Sequence, residues 1–164
     1  MRLMERLKQI VVAGCLAAWL ALVGTATLSP AATPFQGLIG GWSGSGQIRY
    51  EDGQPESIRC TAYYSEADRS LRLAIRCRGA TNDVEVRGLL ALRGDQLSGT
   101  WEERTFNVSG EARGRMSSGR ISLSITGGAV SGSMSVTYGG SRQTVVISVQ
   151  GVALRSVNVT MTRQ

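Results

Sequence analysis

From Pro34 to the end of the chain, apolar and polar residues alternate, and the alternation agrees, hairpin by hairpin, with the turns that interrupt it. A period of two puts successive side chains on opposite faces of a strand, and no segment here keeps a helical period. A loop over Ala67 to Ser70 would pair strands 57–65 and 71–78 so that Cys60 faces Cys77, Ala62 faces Ile75 and Tyr64 faces Leu73, all on one side. The next turn is Gly94-Asp95, a pair suited to a two-residue loop that needs positive φ. It sets Leu92 opposite Leu97, Leu90 opposite Gly99 and Gly88 opposite Trp101 on the apolar face, while Arg87 meets Glu102 and Glu85 meets Arg104 on the other. Opposite charges across a strand pair favour a register, and here they favour the one the apolar residues already require.

Three further turns follow the same logic: Ser118-Gly119 pairs Met116 with Ile121, Gly127-Gly128 pairs Ile125 with Val130, and Gly139-Gly140 pairs Met134 with Val145. A first strand over Gly41 to Tyr50 and a last over Leu154 to Met161 bring the count to about ten. The expected fold is all-β, a single antiparallel up-and-down meander barrel of about 8–10 strands, because closure removes the edges an open sheet would expose. Glycines recur on the apolar face at Gly44, Gly46, Gly88, Gly99, Gly114 and Gly132, often opposite a larger residue. Such glycines permit curvature and admit bulky neighbours, so the interior is expected to be largely filled by side chains.

The barrel domain is assigned to residues 32–164 and a signal peptide to residues 1–31. Arg2, Arg6 and Lys8 form a positive start, Ile10 to Val23 an apolar stretch, and Ser29-Pro30-Ala31 a cleavage site of small residues. Two readings compete with cleavage: an uncleaved anchor over Ile10 to Leu28, and a lipoprotein box ending at Cys15. Export places the mature chain in the periplasm or outside the cell, where the even pair Cys60 and Cys77 is expected to form a disulfide.

Gly40-Gly41-Trp42, at the opening of the first strand, resembles the Gly-x-Trp that begins the barrel of calycins, the lipocalin and avidin-like families. The resemblance implies that Arg163, at the end of the last strand, packs across Trp42 and closes one end of the barrel. Cys60-Thr61-Ala62-Tyr63-Tyr64, Ser98-Gly99-Thr100-Trp101-Glu102-Glu103-Arg104 and Ser131-Gly132-Ser133-Met134-Ser135 are similar to segments of uncharacterised small exported proteins of proteobacteria. That likeness implies export and a bacterial source and assigns no activity.

The chain has no histidine, which removes the base of Ser-His-Asp and Cys-His enzymes and the commonest zinc ligand. Glu102 and Glu103 are adjacent and so point to opposite faces of a strand, which prevents them from sharing a substrate. No catalytic residue, metal ligand or cofactor is expected. Glu103 falls on the apolar face, where a carboxylate must be paired, solvated at a barrel mouth or shifted in pKa. With Trp42, Tyr64 and Trp101 it forms the candidate set for contacting an internal ligand.

Fifteen arginines face eleven acids after residue 31, spread along the chain without a block, so nucleic acid is not expected as a partner. Arg59 and Arg78 lie opposite each other on the outer face, with Arg72 and Arg76 near. They are either splayed into solvent or a site for an anionic surface. The expected function is non-enzymatic: a monomeric envelope protein whose barrel binds a small apolar ligand. The alternatives are a protein-interaction module, such as an inhibitor of a secreted hydrolase or an accessory of an envelope complex, and a small outer-membrane barrel. The outer-membrane reading would turn glycines and a disulfide toward lipid and lacks aromatic girdles.

Overall fold

The computed structural model describes residues 33–164. The signal-peptide, anchor and Cys15 lipidation readings lie outside the described residues. Ten strands follow one another: β1 (Gly40–Tyr50), β2 (Pro55–Ala67), β3 (Ser70–Arg78), β4 (Asp83–Arg93), β5 (Gln96–Glu103), β6 (Val108–Ser117), β7 (Arg120–Gly127), β8 (Val130–Gly139), β9 (Arg142–Gln150) and β10 (Leu154–Arg163). Each pairs antiparallel with the next, and β1 also pairs with β10, so the meander closes into a barrel. Closure demands close approach of backbones at the seam. A Cβ on Gly44 or Gly46 would overlap the carbonyl oxygens of Thr160 or Asn158 on β10, which is why glycine occupies both positions.

The registers expected for the first hairpins are those observed. Cys60 faces Cys77, Ala62 faces Ile75 and Tyr64 faces Leu73, and the Cys60–Cys77 disulfide is formed. Gly88 faces Trp101 and Leu92 faces Leu97 across the Gly94-Asp95 turn. Met116 faces Ile121. Two hairpins differ by a slip of two residues. Ile125 lies opposite Gly132 and not Val130, and Met134 lies opposite Ile147 and not Val145.

The reason is the position of the glycine that carries positive φ. Gly128 and Gly140 take φ of 58° and 55° and open the turns Gly128-Ala129 and Gly140-Ser141, as Gly94 (φ 63°) opens its own. Positive φ at the first central residue is the requirement of a type II′ hairpin turn, and the second glycine of each Gly-Gly pair fills it. A slip of two keeps every side chain on its face.

Most large apolar side chains turn inward, and most serines and arginines turn outward. This is the opposite of a barrel whose apolar face meets lipid. The turns at residues 68–69, 94–95, 118–119 and 140–141 gather at one end together with the segment before β1. That end is packed solid: Phe35, Leu38, Trp42, Tyr64, Leu97 and Met161 are almost wholly buried. The other end carries the loops 51–54, 79–82, 104–107, 128–129 and 151–153. Its half of the interior holds a cavity of about 510 Å³. The expectation of a filled interior therefore fails in the open half. There the inward glycines and medium-sized aliphatics leave the barrel's width unoccupied.

Candidate ligand site

The closed end is fastened by its first and last residues. The segment 34–39 folds into successive turns, with Leu38 and Ile39 donating their amides to the Phe35 carbonyl at 2.7 and 3.2 Å. This drives Phe35 and Leu38 into the barrel end. The Trp42 indole N–H donates to the Leu38 carbonyl at 2.8 Å. The Arg163 guanidinium lies over the Trp42 ring, 4.5 Å from its centroid. It donates to the Ile39 carbonyl at 2.5 Å and the Gly37 carbonyl at 2.7 Å. A cation over an indole face, with its N–H groups consumed by carbonyls, locks strand end, plug and arginine into one unit.

Above this plug, the Tyr64 hydroxyl donates to Gln143 Oε1 at 3.2 Å. Gln143 is 1% exposed and its amide nitrogen lies 3.9 Å from the Met161 sulfur. Burial raises the Tyr64 pKa well above the usual phenol range, with the Gln143 hydrogen bond opposing it. The hydroxyl is thus held neutral. Gln143 escaped the sequence reading, although its parity with Val145 on β9 placed a polar group on the apolar face, the same signal that singled out Glu103.

Of the four expected contact residues, the structure brings Trp101 and Glu103 to the cavity. Trp42 and Tyr64 belong to the floor beneath it and do not line it. Most of the wall is aliphatic, from Leu73, Val86, Leu90, Ile125, Val149 and Val157 among others. Phe106, 53% exposed on the loop after β5, lines the mouth.

Glu103 is neither solvated nor free. One carboxylate oxygen accepts the Glu85 amide at 2.9 Å and the Thr105 amide at 3.1 Å, and the other accepts the Phe106 amide at 2.6 Å. Its oxygens satisfy the backbone where β5 ends and the chain turns toward β6. Tyr50, at the end of β1, also lines the cavity. Its hydroxyl is buried and has no hydrogen-bond partner.

On the outer face Arg59 pairs directly with Arg78, and Arg76 with Glu85 on the next strand. Glu85 binds three arginines: Arg76 at 3.1 Å, Arg87 at 3.0 Å and Arg104 at 3.3 Å. Desolvation acts to raise its pKa, but the hydrogen bonds from Arg76 and Arg87 outweigh it and hold the carboxyl below the usual range. Arg87 binds Glu85 on its own strand and not Glu102, its cross-strand neighbour. Arg76 is committed to Glu85, and Arg59, Arg72 and Arg78 are exposed.

No family model matches the chain, and no curated protein does. Solved structures do. The crystal structure of Rv2717c from M. tuberculosis superposes with a TM-score of 0.68 at 16% identity, covering 84% of this chain and 99% of that one. The S-type phycobiliprotein lyase CpeS from Guillardia theta superposes with a TM-score of 0.54 at 12% identity, covering 79% of this chain and 90% of its own. At these identities the likeness concerns the fold alone, the closed antiparallel barrel described above.

Proposed function

We propose that the protein is an exported, non-enzymatic binding protein of the bacterial envelope that holds a small apolar molecule inside its barrel. The observation that carries this reading is the cavity: about 510 Å³, aliphatic-walled, sealed at one end and reached through loops at the other. Ligand sites have that size and character, with few polar groups in a mostly apolar wall. Ten antiparallel strands hold the wall in place, so the site is formed before the ligand arrives. The folded neighbours support the architecture of such a carrier, and CpeS is itself described as a phycobiliprotein lyase.

The test uses Nile red, an uncharged dye that fluoresces strongly only out of water, with protein secreted through its own N-terminal segment and purified without detergent. One dye is expected per chain, with blue-shifted emission. Val149→Trp and Ala112→Phe fill the cavity wall and are expected to remove binding while circular dichroism keeps its β signature. Absence of enhancement, or enhancement indifferent to both substitutions, refutes the reading.

A second reading is docking to another protein through the outer face of β2 to β4. There Tyr63 and Leu89 are 61% and 46% exposed, and Leu89 lies directly beside Arg72. Loss of a partner on Tyr63→Ser and Leu89→Ser, with dye binding absent from the wild type, would favour it.

A further inference from the structure

We propose that the outer face of β1 to β3 docks the protein onto an anionic phospholipid surface, with Arg59 and Arg78 sharing a headgroup phosphate. The docking goes beyond the carrier reading and does not depend on what the cavity holds. Its basis is the division of charge around the barrel. Among the described residues, the outward positions of β1, β2 and β3 include Arg49, Arg59, Arg72, Arg76 and Arg78, all exposed, and no acid.

The two glutamates of β2 are no exception. Glu56 and Glu66 have the inward parity of Cys60 and Tyr64. The Glu56 carboxylate accepts the Thr81 amide at 2.8 Å, and one Glu66 oxygen is buried. Outward acids begin on β4, where Glu85 is already shared by Arg76, Arg87 and Arg104. Asp83 is the register partner of Arg78, yet no ion pair joins them. Arg49, Arg59, Arg72 and Arg78 have no ion pair among the described residues.

Arg59 and Arg78 stand directly opposite each other on β2 and β3, and the other neighbour of Arg59 is Ser45 on β1. Like charges so placed repel. A phosphate between the two guanidinium groups turns that repulsion into attraction on both sides, and each planar fork matches its oxygens bidentately. Arg76, diagonal to Arg59, is about 7–8 Å away, within one screening length at physiological salt.

The remainder of the face suits headgroups better than a protein. The residues between the arginines are small and hydroxylated: Ser43, Ser45, Ser57, Thr61 and Ser65. Tyr63 is the large apolar side chain exposed there, at 61%. Its register partners are Gly41 and Ala74, which leave both sides of the ring open, as befits a tyrosine with its ring among lipid and its hydroxyl in water. A protein partner would require an apolar core in the contact, and one tyrosine does not supply it. Arg49, Arg59 and Arg78 lie toward the loops 51–54 and 79–82, so docking carries the barrel's mouth to the surface from which an apolar cargo would be drawn.

The experiment is cosedimentation of the secreted, detergent-free protein with vesicles of phosphatidylcholine alone and of phosphatidylcholine mixed with phosphatidylglycerol. Binding to the mixed vesicles is expected to be at least about tenfold stronger, and to be lost as the screening length falls from about 10 Å at 0.1 M salt to about 3 Å at 1 M. Each arginine near an anionic surface contributes about fivefold, so Arg59→Gln with Arg78→Gln should weaken binding by about 10–25-fold. Arg120→Gln with Arg142→Gln removes the same charge from β7 and β9 and should change binding by less than about threefold. Circular dichroism and Nile red uptake are expected to be unchanged in both pairs, which keeps the result separate from the carrier reading. Equal binding to the two kinds of vesicle overturns the docking, and equal effects of the two arginine pairs overturn its assignment to this face. Tighter binding to soluble polyglutamate than to the mixed vesicles, lost with Arg59 and Arg78, gives the face to an acidic protein segment and overturns the lipid surface.

Discussion

Replacing Glu103 by alanine separates a structural carboxylate from a ligand-binding one. The side chain is only 9% exposed and accepts three backbone amides at 2.6 to 3.1 Å. A hydrogen bond to a carboxylate contributes about 1.5–3 kcal/mol. The three share one group and are not additive, and the Thr105 and Phe106 amides lie close enough to solvent to recover water once the carboxylate is gone.

The net loss for Glu103→Ala is therefore about 2–4 kcal/mol, near 10 °C in Tm for a domain of this length. Glu103→Gln keeps one acceptor oxygen but sets an NH₂ against a backbone amide, and should lose about 1–3 kcal/mol. Urea unfolding followed by tryptophan fluorescence measures both, with an unchanged m-value showing that the native and unfolded states keep their extents. A Glu103→Ala variant within about 0.5 kcal/mol of wild type would refute the assignment of this carboxylate to the β5–β6 turn.

The closed end and the disulfide offer independent checks. Arg163→Ala removes the cation over Trp42 and the donors to Ile39 and Gly37, and should cost about 2–3 kcal/mol in the same unfolding assay. Reduction of Cys60–Cys77, which spans 17 residues, should lower stability by about 3 kcal/mol, read as the shift in urea midpoint between oxidised and reduced protein. The Glu85 pKa is depressed by Arg76 and Arg87. Its contribution is present above the ordinary carboxylate range and is lost as pH falls through that range to the folded value, so Glu85→Gln should flatten the acid limb of a stability-against-pH curve. Tyr64 is shifted the other way by burial. Its contribution holds below the ordinary phenol range and fades as pH rises above about 10, so Tyr64→Phe should lessen the alkaline loss seen in Tm.

The sequence carried the strand count and the inward set because a period of two is a strong constraint and survives local error. The slips at Gly127-Gly128 and Gly139-Gly140 show this well. Choosing which glycine of each pair takes positive φ moved the partner of Ile125 from Val130 to Gly132, yet no residue changed face. The pairing of Trp42 with Arg163 was legible through the calycin resemblance, since the two residues are register partners on β1 and β10.

What parity could not supply was height along the barrel axis. Trp42, Tyr64, Trp101 and Glu103 all point inward, but Trp42 and Tyr64 sit at the plugged end and Trp101 and Glu103 near the mouth. A pattern of period two is identical at both ends of a strand. The cavity was illegible for the same reason: glycines read as making room for neighbours do so only where large neighbours lie at the same height. Glu103 was recognised as anomalous from its face, but the three amides that bind it come from a neighbouring strand and a turn whose shapes appear only on folding.

The most direct test of an apolar, ligand-sized cavity is a crystal of the protein pressurised with xenon, which enters apolar cavities and scatters anomalously. Xenon is expected in the open half, among Leu73, Trp101, Ile125 and Val149, with none around Trp42 and Tyr64. An interior in which those walls have closed on one another and no xenon binds would contradict the account at its centre.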